Sequence, residues 1–133
     1  MTRGLSVVDP TQWASNCKGV RDYHDPPTHY IDIHYRCNAC GQQAVFSATE
    51  QKHTYEVRKQ HINRRRTLCP ACNGEHYRLR LRDREMQRRW LAERATLRHD
   101  RVFVEEWLLV LVAAARYRRG VNLGMIKRLR KLL

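Results

Sequence analysis

The chain has 133 residues, about the length of one domain, and a formal net charge of +13. Its longest uninterrupted apolar run, from Trp107 to Ala115, has nine residues, whereas a membrane-spanning helix needs about 20. We therefore predict no transmembrane helix. The first 13 residues contain one arginine and no apolar segment typical of a signal peptide, which favours a protein of the reducing cytoplasm.

The positive charge is concentrated in the second half of the chain. Residues 1–57 contain five Lys/Arg against six Asp/Glu, whereas residues 58–133 contain 21 against seven. Of the 26 basic residues, 21 are arginine, whose planar guanidinium suits phosphate groups and base edges. A charge run is usually a solvated helix face, but this excess is larger than such a face requires. It favours nucleic acid as a partner.

The first half of the chain predicts an N-terminal arm and the start of a small domain. Residues 1–27 form the arm, in which Asp9 and Pro10 have the types expected at the start of a short helix. Residues 29–36 alternate apolar and polar side chains, which predicts a strand, and a second strand is predicted at residues 43–46.

A helix is predicted directly after the second strand. The segment Ser47-Ala48-Thr49-Glu50 has the spacing of a capping box, in which the first hydroxyl and the last carboxylate satisfy backbone amides at a helix start. We expect the helix to run to about residue 60. It would lie between the two cysteine pairs and account for the 28 residues that separate them.

Four of the five cysteines form two Cys-x-x-Cys pairs. These are Cys37, Cys40, Cys69 and Cys72. Two such pairs brought together supply the four thiolates in a tetrahedron that Zn²⁺ prefers. A glycine follows each pair, Gly41 and Gly74, and we expect it to let backbone amides turn toward the thiolates. Because all four ligands are cysteine, the ion is predicted to be a single structural zinc, not a catalytic one with an open position.

Other interpretations of the cysteines are weaker. A redox Cys-x-x-Cys would require a thioredoxin-like βαβ pattern, which the sequence lacks.

A structural zinc would also supply stability that the first half of the chain needs. Structural zinc contributes roughly 10 to 16 kcal/mol in small modules, and the first half has few apolar residues to form a core. Cys17 lies outside both pairs and is predicted to be a thiol without a metal.

After the second cysteine pair the sequence predicts a strand and then helices. Apolar residues alternate with arginines over residues 77–82, which predicts a strand with one wholly basic face. From Asp83 the apolar period becomes helical, Asp100 is placed to cap a helix that runs to Arg119, and Asn122 to cap another over residues 123–133.

The middle helix is expected to be buried all round. Residues 103–115 are apolar on nearly every side of a helix, so they should pack against other elements or against a second copy of the chain. Gly120 is the residue expected just past the end of this helix.

The stretch from Tyr35 to Asn73 resembles a known family. It contains CNACG, then Phe46 and a Ser/Thr run, then the pair Glu50-Gln51, then Tyr55, and finally CPAC. This order is similar to that of the "probable zinc-ribbon domain" family of small bacterial proteins. The resemblance covers residues 35–73, implies zinc binding, and implies no particular activity.

The sequence as a whole predicts an α+β protein: a four-cysteine zinc ribbon with an inserted helix over residues 28–82, followed by a basic C-terminal bundle of about three helices over residues 83–133. We expect it to be a non-enzymatic protein that binds nucleic acid, with RNA or single strands favoured. The expected contacts are Arg64, Arg65, Arg66, Arg78, Arg80, Arg82, Arg88 and Arg89.

Three other functions remain open at this point. The chain is alternatively an interaction module that self-associates or docks a protein partner through residues 103–117. His61 and Asn63 hint at a metal-dependent nuclease, but no catalytic His pair accompanies them. Residues 123–133 form a basic amphipathic segment that is short for a membrane-surface anchor.

Overall fold

The computed structural model describes residues 6–117 and 121–133. In chain order its elements are α1 (Arg21–His24), β1 (Ile33–Arg36), β2 (Gln43–Phe46), α2 (Ala48–Lys52), α3 (Pro70–Leu97), α4 (Arg101–Ala114) and α5 (Leu123–Leu132). The predicted α+β class and the C-terminal helices are confirmed. Arg119 and Gly120, the expected end of the middle helix, lie outside the described residues. Within the described ranges no helix is both long and apolar enough to cross a membrane.

The described residues divide into two compact units. The N-terminal unit comprises residues 6–37 and 41–69, and the helical unit comprises residues 38–40, 70–117 and 121–133. Each unit has a separate cluster of buried apolar side chains.

A two-stranded hairpin is the only sheet among the described residues. β1 pairs antiparallel with β2, so that Ile33 lies opposite Phe46. Ser47 then caps α2 as predicted: its hydroxyl accepts from the Glu50 amide, and the Glu50 carboxylate accepts from the Ser47 amide. α2 continues as a π-helical turn, His53–Val57, so the helical path ends three residues before the predicted position.

The N-terminal unit packs around a mainly aromatic core. Its buried members are Trp13, Cys17, Tyr30, Phe46, Tyr55 and Ile62. Asp9 caps a short 3-10 turn, Pro10–Gln12, as its sequence predicted, and the residues after it supply Trp13 and Cys17 to this core. Part of the predicted arm is therefore buried in this unit.

The buried carboxylate of Glu56 is hydrogen-bonded to a side chain of this core. Glu56 Oε2 accepts from the Tyr30 hydroxyl at 2.6 Å, and Glu56 Oε1 lies 2.9 Å from Lys52 Nζ. The Tyr30 hydroxyl in turn accepts from Trp13 Nε1 at 2.9 Å. Burial, together with the Glu56 carboxylate, raises the pKa of Tyr30 far above its usual value, so Tyr30 keeps its proton and acts as a donor.

The predicted strand over residues 77–82 is wrong, because those residues lie inside α3. Pro70 occupies the first helical position, where proline's fixed φ and missing amide are favourable. The side of α3 that is removed from solvent carries residues at helical spacing: Cys72, Leu79, Met86, Trp90 and Leu97. The period-2 alternation of leucine and arginine is therefore a local coincidence within a longer helical pattern.

The helical unit is built on α3, α4 and α5. Trp90, Phe103 and Trp107 pack ring against ring with centroids 5.6 to 6.4 Å apart, and Leu129 of α5 is fully buried beside them. Trp107 Nε1 donates to Asp83 Oδ1 at 2.9 Å. Tyr117 donates to Glu75 at 2.5 Å, a hydrogen bond that raises the pKa of Tyr117 to about 12.

α4 differs from the expectation of burial on every side. Phe103, Val104, Trp107 and other residues of one face are buried. Val102, Leu109 and Val112 on the opposite face are exposed. In the described part of the chain this helix therefore presents an apolar face to solvent.

Candidate metal centre and nucleic-acid interface

The four paired cysteines lie at two different kinds of local structure. Cys37 and Cys40 are in the loop that joins β1 to β2. Cys69 immediately precedes α3, and Cys72 lies in its first turn. The second pair is therefore at a helix start and not on a second hairpin, which a ribbon would have provided.

Their sulfur atoms lie together as a ligand set. The four Sγ atoms are all within 4.8 Å of one another, and none of the chain's cysteines forms a disulfide. A tetrahedron with Zn–S distances of about 2.3 Å has S–S edges of about 3.8 Å, so the set is close to the size required. Cys37, Cys69 and Cys72 are buried and Cys40 is exposed. The four cysteines form a single candidate metal site, and the donor set is consistent with structural zinc. Cys17 is buried in the N-terminal core instead.

Hydrogen bonds fix the loop that carries the first pair. The Cys37 amide donates to the Gln42 carbonyl at 2.8 Å, and the Gly41 amide donates to the Cys37 carbonyl at 3.0 Å. Gly41 has φ of 76°, in the left-handed region that glycine adopts most readily. Glycine therefore serves as a turn residue at this position.

Gly74 was expected to form a turn after the second cysteine pair, but it is part of a helix. It lies inside α3, without a positive φ, so it makes no turn back toward the thiolates. A Cβ added to Gly74 would lie 3.5 Å from the end of the Arg78 side chain, an ordinary contact. The two glycines are consequently not equivalent.

Exchanging each glycine for alanine tests this difference. We expect Gly41→Ala to destabilise the zinc-loaded protein by about 1 to 2 kcal/mol, because alanine is strained at positive φ. We expect Gly74→Ala to stabilise it by roughly 0.5 to 1 kcal/mol, because alanine is the better helix former. Urea unfolding of the two variants measures both effects. Equal effects of the same sign would contradict the assigned backbone conformations.

The Glu50-Gln51 pair holds the hairpin and its surroundings together. Gln51 is buried, and its side-chain amide donates to the carbonyls of Ile31 and Phe46 at 2.6 and 2.9 Å. Glu50 caps α2 and also accepts from Arg66 at 2.7 Å. Burial opposes ionisation of Glu50, but hydrogen bonds from Arg66 and Ser47 outweigh it and hold the pKa of Glu50 below its usual value.

The segment before Cys69 is anchored on this same framework. The Arg66 guanidinium lies 4.0 Å from the centre of the Phe46 ring. The Tyr35 hydroxyl donates to the Leu68 carbonyl at 2.9 Å. Leu68 directly precedes Cys69, and Tyr35 lies two residues before Cys37. Burial raises the pKa of Tyr35. Tyr35 is half-buried and packs against the N-terminal core, so it is less suited than a fully exposed ring to stack on unpaired bases.

The arginines that were expected to contact nucleic acid differ in exposure and in the face of the molecule on which they lie. Arg64 and Arg65 are exposed, whereas Arg66 is half-buried. Because residues 77–82 are helical, Arg78, Arg80 and Arg82 follow one another at about 200° around the axis and share no single basic face. Arg80 is half-buried at a cavity of about 250 Å³ that is also lined by Asp83 and Trp107.

The surroundings of Arg82, Arg88 and Arg89, three further expected contacts, also differ. Arg82 lies 4.0 Å from Glu106, and both side chains are exposed. Arg89 places its guanidinium 5.0 Å from the centre of the Phe103 ring. Arg88 is exposed and belongs to a surface along one side of α3.

That surface is the exposed stripe of α3, opposite its buried side. Its members recur at intervals of four and three residues along one face: Tyr77, Leu81, Arg84, Arg88 and Leu91. All five are exposed. Arg84 was not among the expected contacts, although it lies on one face of α3 with Arg88. The helical spacing from Cys72 to Leu97 is the signal that would have identified it.

The chain was compared with known protein families and proteins. A family model described as a probable treble clef domain matches residues 31–80. Those residues include the hairpin, α2, both cysteine pairs and the start of α3. This description agrees with a four-cysteine site whose second pair opens a helix. No curated protein and no solved structure matches the chain.

Proposed function

We propose that this chain is a non-enzymatic zinc-binding protein of the treble clef type that binds nucleic acid, with unpaired strands preferred. One structural Zn²⁺ would be held by Cys37, Cys40, Cys69 and Cys72. A four-thiolate site leaves no position for a reacting water, so the ion would supply structure and no chemistry. Binding would then depend on the helix that the second cysteine pair starts.

The exposed stripe of α3 is the observation that carries the proposal. Arg84 and Arg88 are one helical turn apart on the same face, and Tyr77 and Leu81 precede them on that face. None of the described ion pairs involves Arg84 or Arg88. Guanidinium groups spaced in this way are suited to successive phosphates of one strand.

The charge around the stripe supports an anionic polymer as the ligand. Residues 70–133 contain 16 Lys/Arg and seven Asp/Glu, a net charge of +9. Two of the four acidic side chains of α3 already accept hydrogen bonds, Glu75 from Tyr117 and Asp83 from Trp107. They are therefore less able to offset the arginines of this helix.

Tyr77 supports a preference for unpaired bases. Its side chain is 59% exposed at one end of the stripe. An exposed aromatic ring beside arginines stacks on a base only when the base is not already enclosed in a duplex. Leu81 and Leu91, which are also exposed, add apolar surface along the same line.

The arginine loop, residues 64–66, would make a smaller contribution than its sequence suggests. Arg66 is engaged with Glu50 and Phe46. Arg65 donates to the Ile62 carbonyl at 2.8 Å but remains exposed. Arg64 and Arg65 are thus the members of this loop that are available to a phosphate.

A salt series tests the proposal. The zinc-loaded protein is titrated against labelled single-stranded RNA, single-stranded DNA and duplex DNA at several salt concentrations. We expect log K to fall linearly with log salt, by roughly 0.7 for each phosphate contact on a single strand, and the unpaired strands to bind more tightly than the duplex. Absence of binding at about 0.1 M salt would refute the proposed function. Tighter binding to duplex would refute the preference for unpaired strands.

A further inference from the structure

The exposed face of α4 has the pattern of a helix seam. Four of its members lie in α4 at intervals of three and four residues, Val102, Glu105, Leu109 and Val112, and the exposed Arg116 follows in the turn after the helix. This spacing is the a and d pattern of a coiled coil. Leu109 is 69% exposed, although the buried side of α4 already packs on the rest of the helical unit. We name these five residues the α4 seam.

We propose that the α4 seam pairs with the α4 seam of a second copy of this chain, antiparallel, in a two-fold symmetric homodimer. The two-fold axis passes between residues 109 and 112. Leu109 then packs against Val112 of the partner subunit, and Glu105 lies opposite Arg116 of the partner subunit. Symmetry repeats both contacts, which is the property of an isologous interface.

Charge decides both the partner and its orientation. A parallel arrangement would set Glu105 against Glu105 and Arg116 against Arg116, and like charges that face each other are destabilising. The antiparallel arrangement sets each glutamate against an arginine. Glu105 and Glu106 are adjacent exposed acids, each beside an arginine of its own chain, Arg101 and Arg82. A face of mixed charge of this kind suits a second copy better than it suits nucleic acid.

A groove beside the seam provides further contact area. Leu79, Arg82, Glu106 and Val110 line it together with Leu109, and its volume is about 310 Å³. A partner helix laid along the seam would cover this groove and remove Leu109 from water. Since α4 is only 14 residues long, the interface falls in the small, weakly associating class.

Sedimentation velocity of the full zinc-loaded chain, freed of nucleic acid with nuclease and high salt, tests the dimer over about 1 to 500 μM, a range chosen for a weak association. We expect the wild type to shift from monomer to dimer across this range. Leu109→Glu should remain monomeric. The matched control Leu123→Glu, also an exposed leucine of the helical unit at 65% exposure, should dimerise like the wild type.

Charge exchange tests the orientation. Glu105→Arg and Arg116→Glu should each weaken the dimer, and the double variant should restore it, because the two charges are then exchanged across the interface. Circular dichroism of each variant checks that the helices are intact. A wild type that stays monomeric, a dimer that survives Leu109→Glu, or a double variant that does not recover would each overturn the proposal.

Discussion

Removal of the metal should unfold residues 31–80 and leave α4 folded. We expect hydrogen exchange, measured after chelation, to become fast in the hairpin, in α2 and in the first turns of α3. The amides of α4 should stay protected. Metal analysis of the untreated protein should give one zinc per chain.

The size of the effect follows from what holds each region together. A structural zinc contributes roughly 10 to 16 kcal/mol in small modules, which is as large as the whole stability of a typical domain. The N-terminal unit has a small core, whereas the helical unit has its own cluster built on Trp90, Phe103 and Trp107. The helical cluster contains none of the four metal ligands, so it should withstand the loss of the ion.

Two cysteine variants provide the control for this experiment. Cys72→Ser removes a ligand and should reproduce the effect of chelation. Cys17→Ala removes a thiol that is buried in the N-terminal core, and it should keep one zinc per chain. A purified protein that contains clearly less than one zinc and exchanges no faster after chelation would contradict the proposed zinc site.

Replacement of two arginines on the exposed stripe should have the largest effect on nucleic-acid binding. We expect Arg84→Ala with Arg88→Ala to lower the salt slope for single strands by roughly 1.4, because two phosphate contacts are lost. Tyr77→Ala should weaken binding to single strands by about 1 to 3 kcal/mol, the usual value of one stacked base, and should change duplex binding less.

The matched control removes the same charge from other faces of α3. Arg78→Ala with Arg82→Ala also deletes two exposed arginines, but these lie about 120° and 160° around the helix from Arg84. We expect the control pair to reduce affinity less than the stripe pair. Equal losses would mean that binding follows net charge and not this face. No loss with either pair would exclude α3 as the interface.

The parts of the fold that were predictable are those encoded by short-range chemistry. β2 has the predicted bounds, and the Ser47 capping box forms with its two reciprocal hydrogen bonds. The strand pattern and the capping box each depend on side chains within four residues of each other. The two cysteine pairs of the candidate metal site were predictable for a similar reason, since two residues between the cysteines of a pair suffice to place both sulfurs on one ion.

The parts that failed depend on packing over longer distances. Six residues in which tyrosine or leucine alternates with arginine fit a strand, and only the spacing of Cys72, Met86 and Trp90 over a longer window shows the helix. The roles of Arg66 and Tyr35 could not be predicted, because their partners Phe46, Glu50 and Leu68 are brought to them by the fold.

The part of α3 that precedes the kink at Glu93 sets a length scale for the proposed nucleic-acid ligand. The single residue with non-helical backbone angles inside this helix is Glu93, with φ of −133°, and it lies beyond the last member of the exposed stripe. From Tyr77 to Leu91 the stripe is therefore an uninterrupted line of about 21 Å at the helical rise of 1.5 Å per residue. A stacked strand advances by about 3.4 Å per nucleotide, so a footprint of about six nucleotides would fill the stripe, and shorter oligonucleotides would leave one of its ends unoccupied.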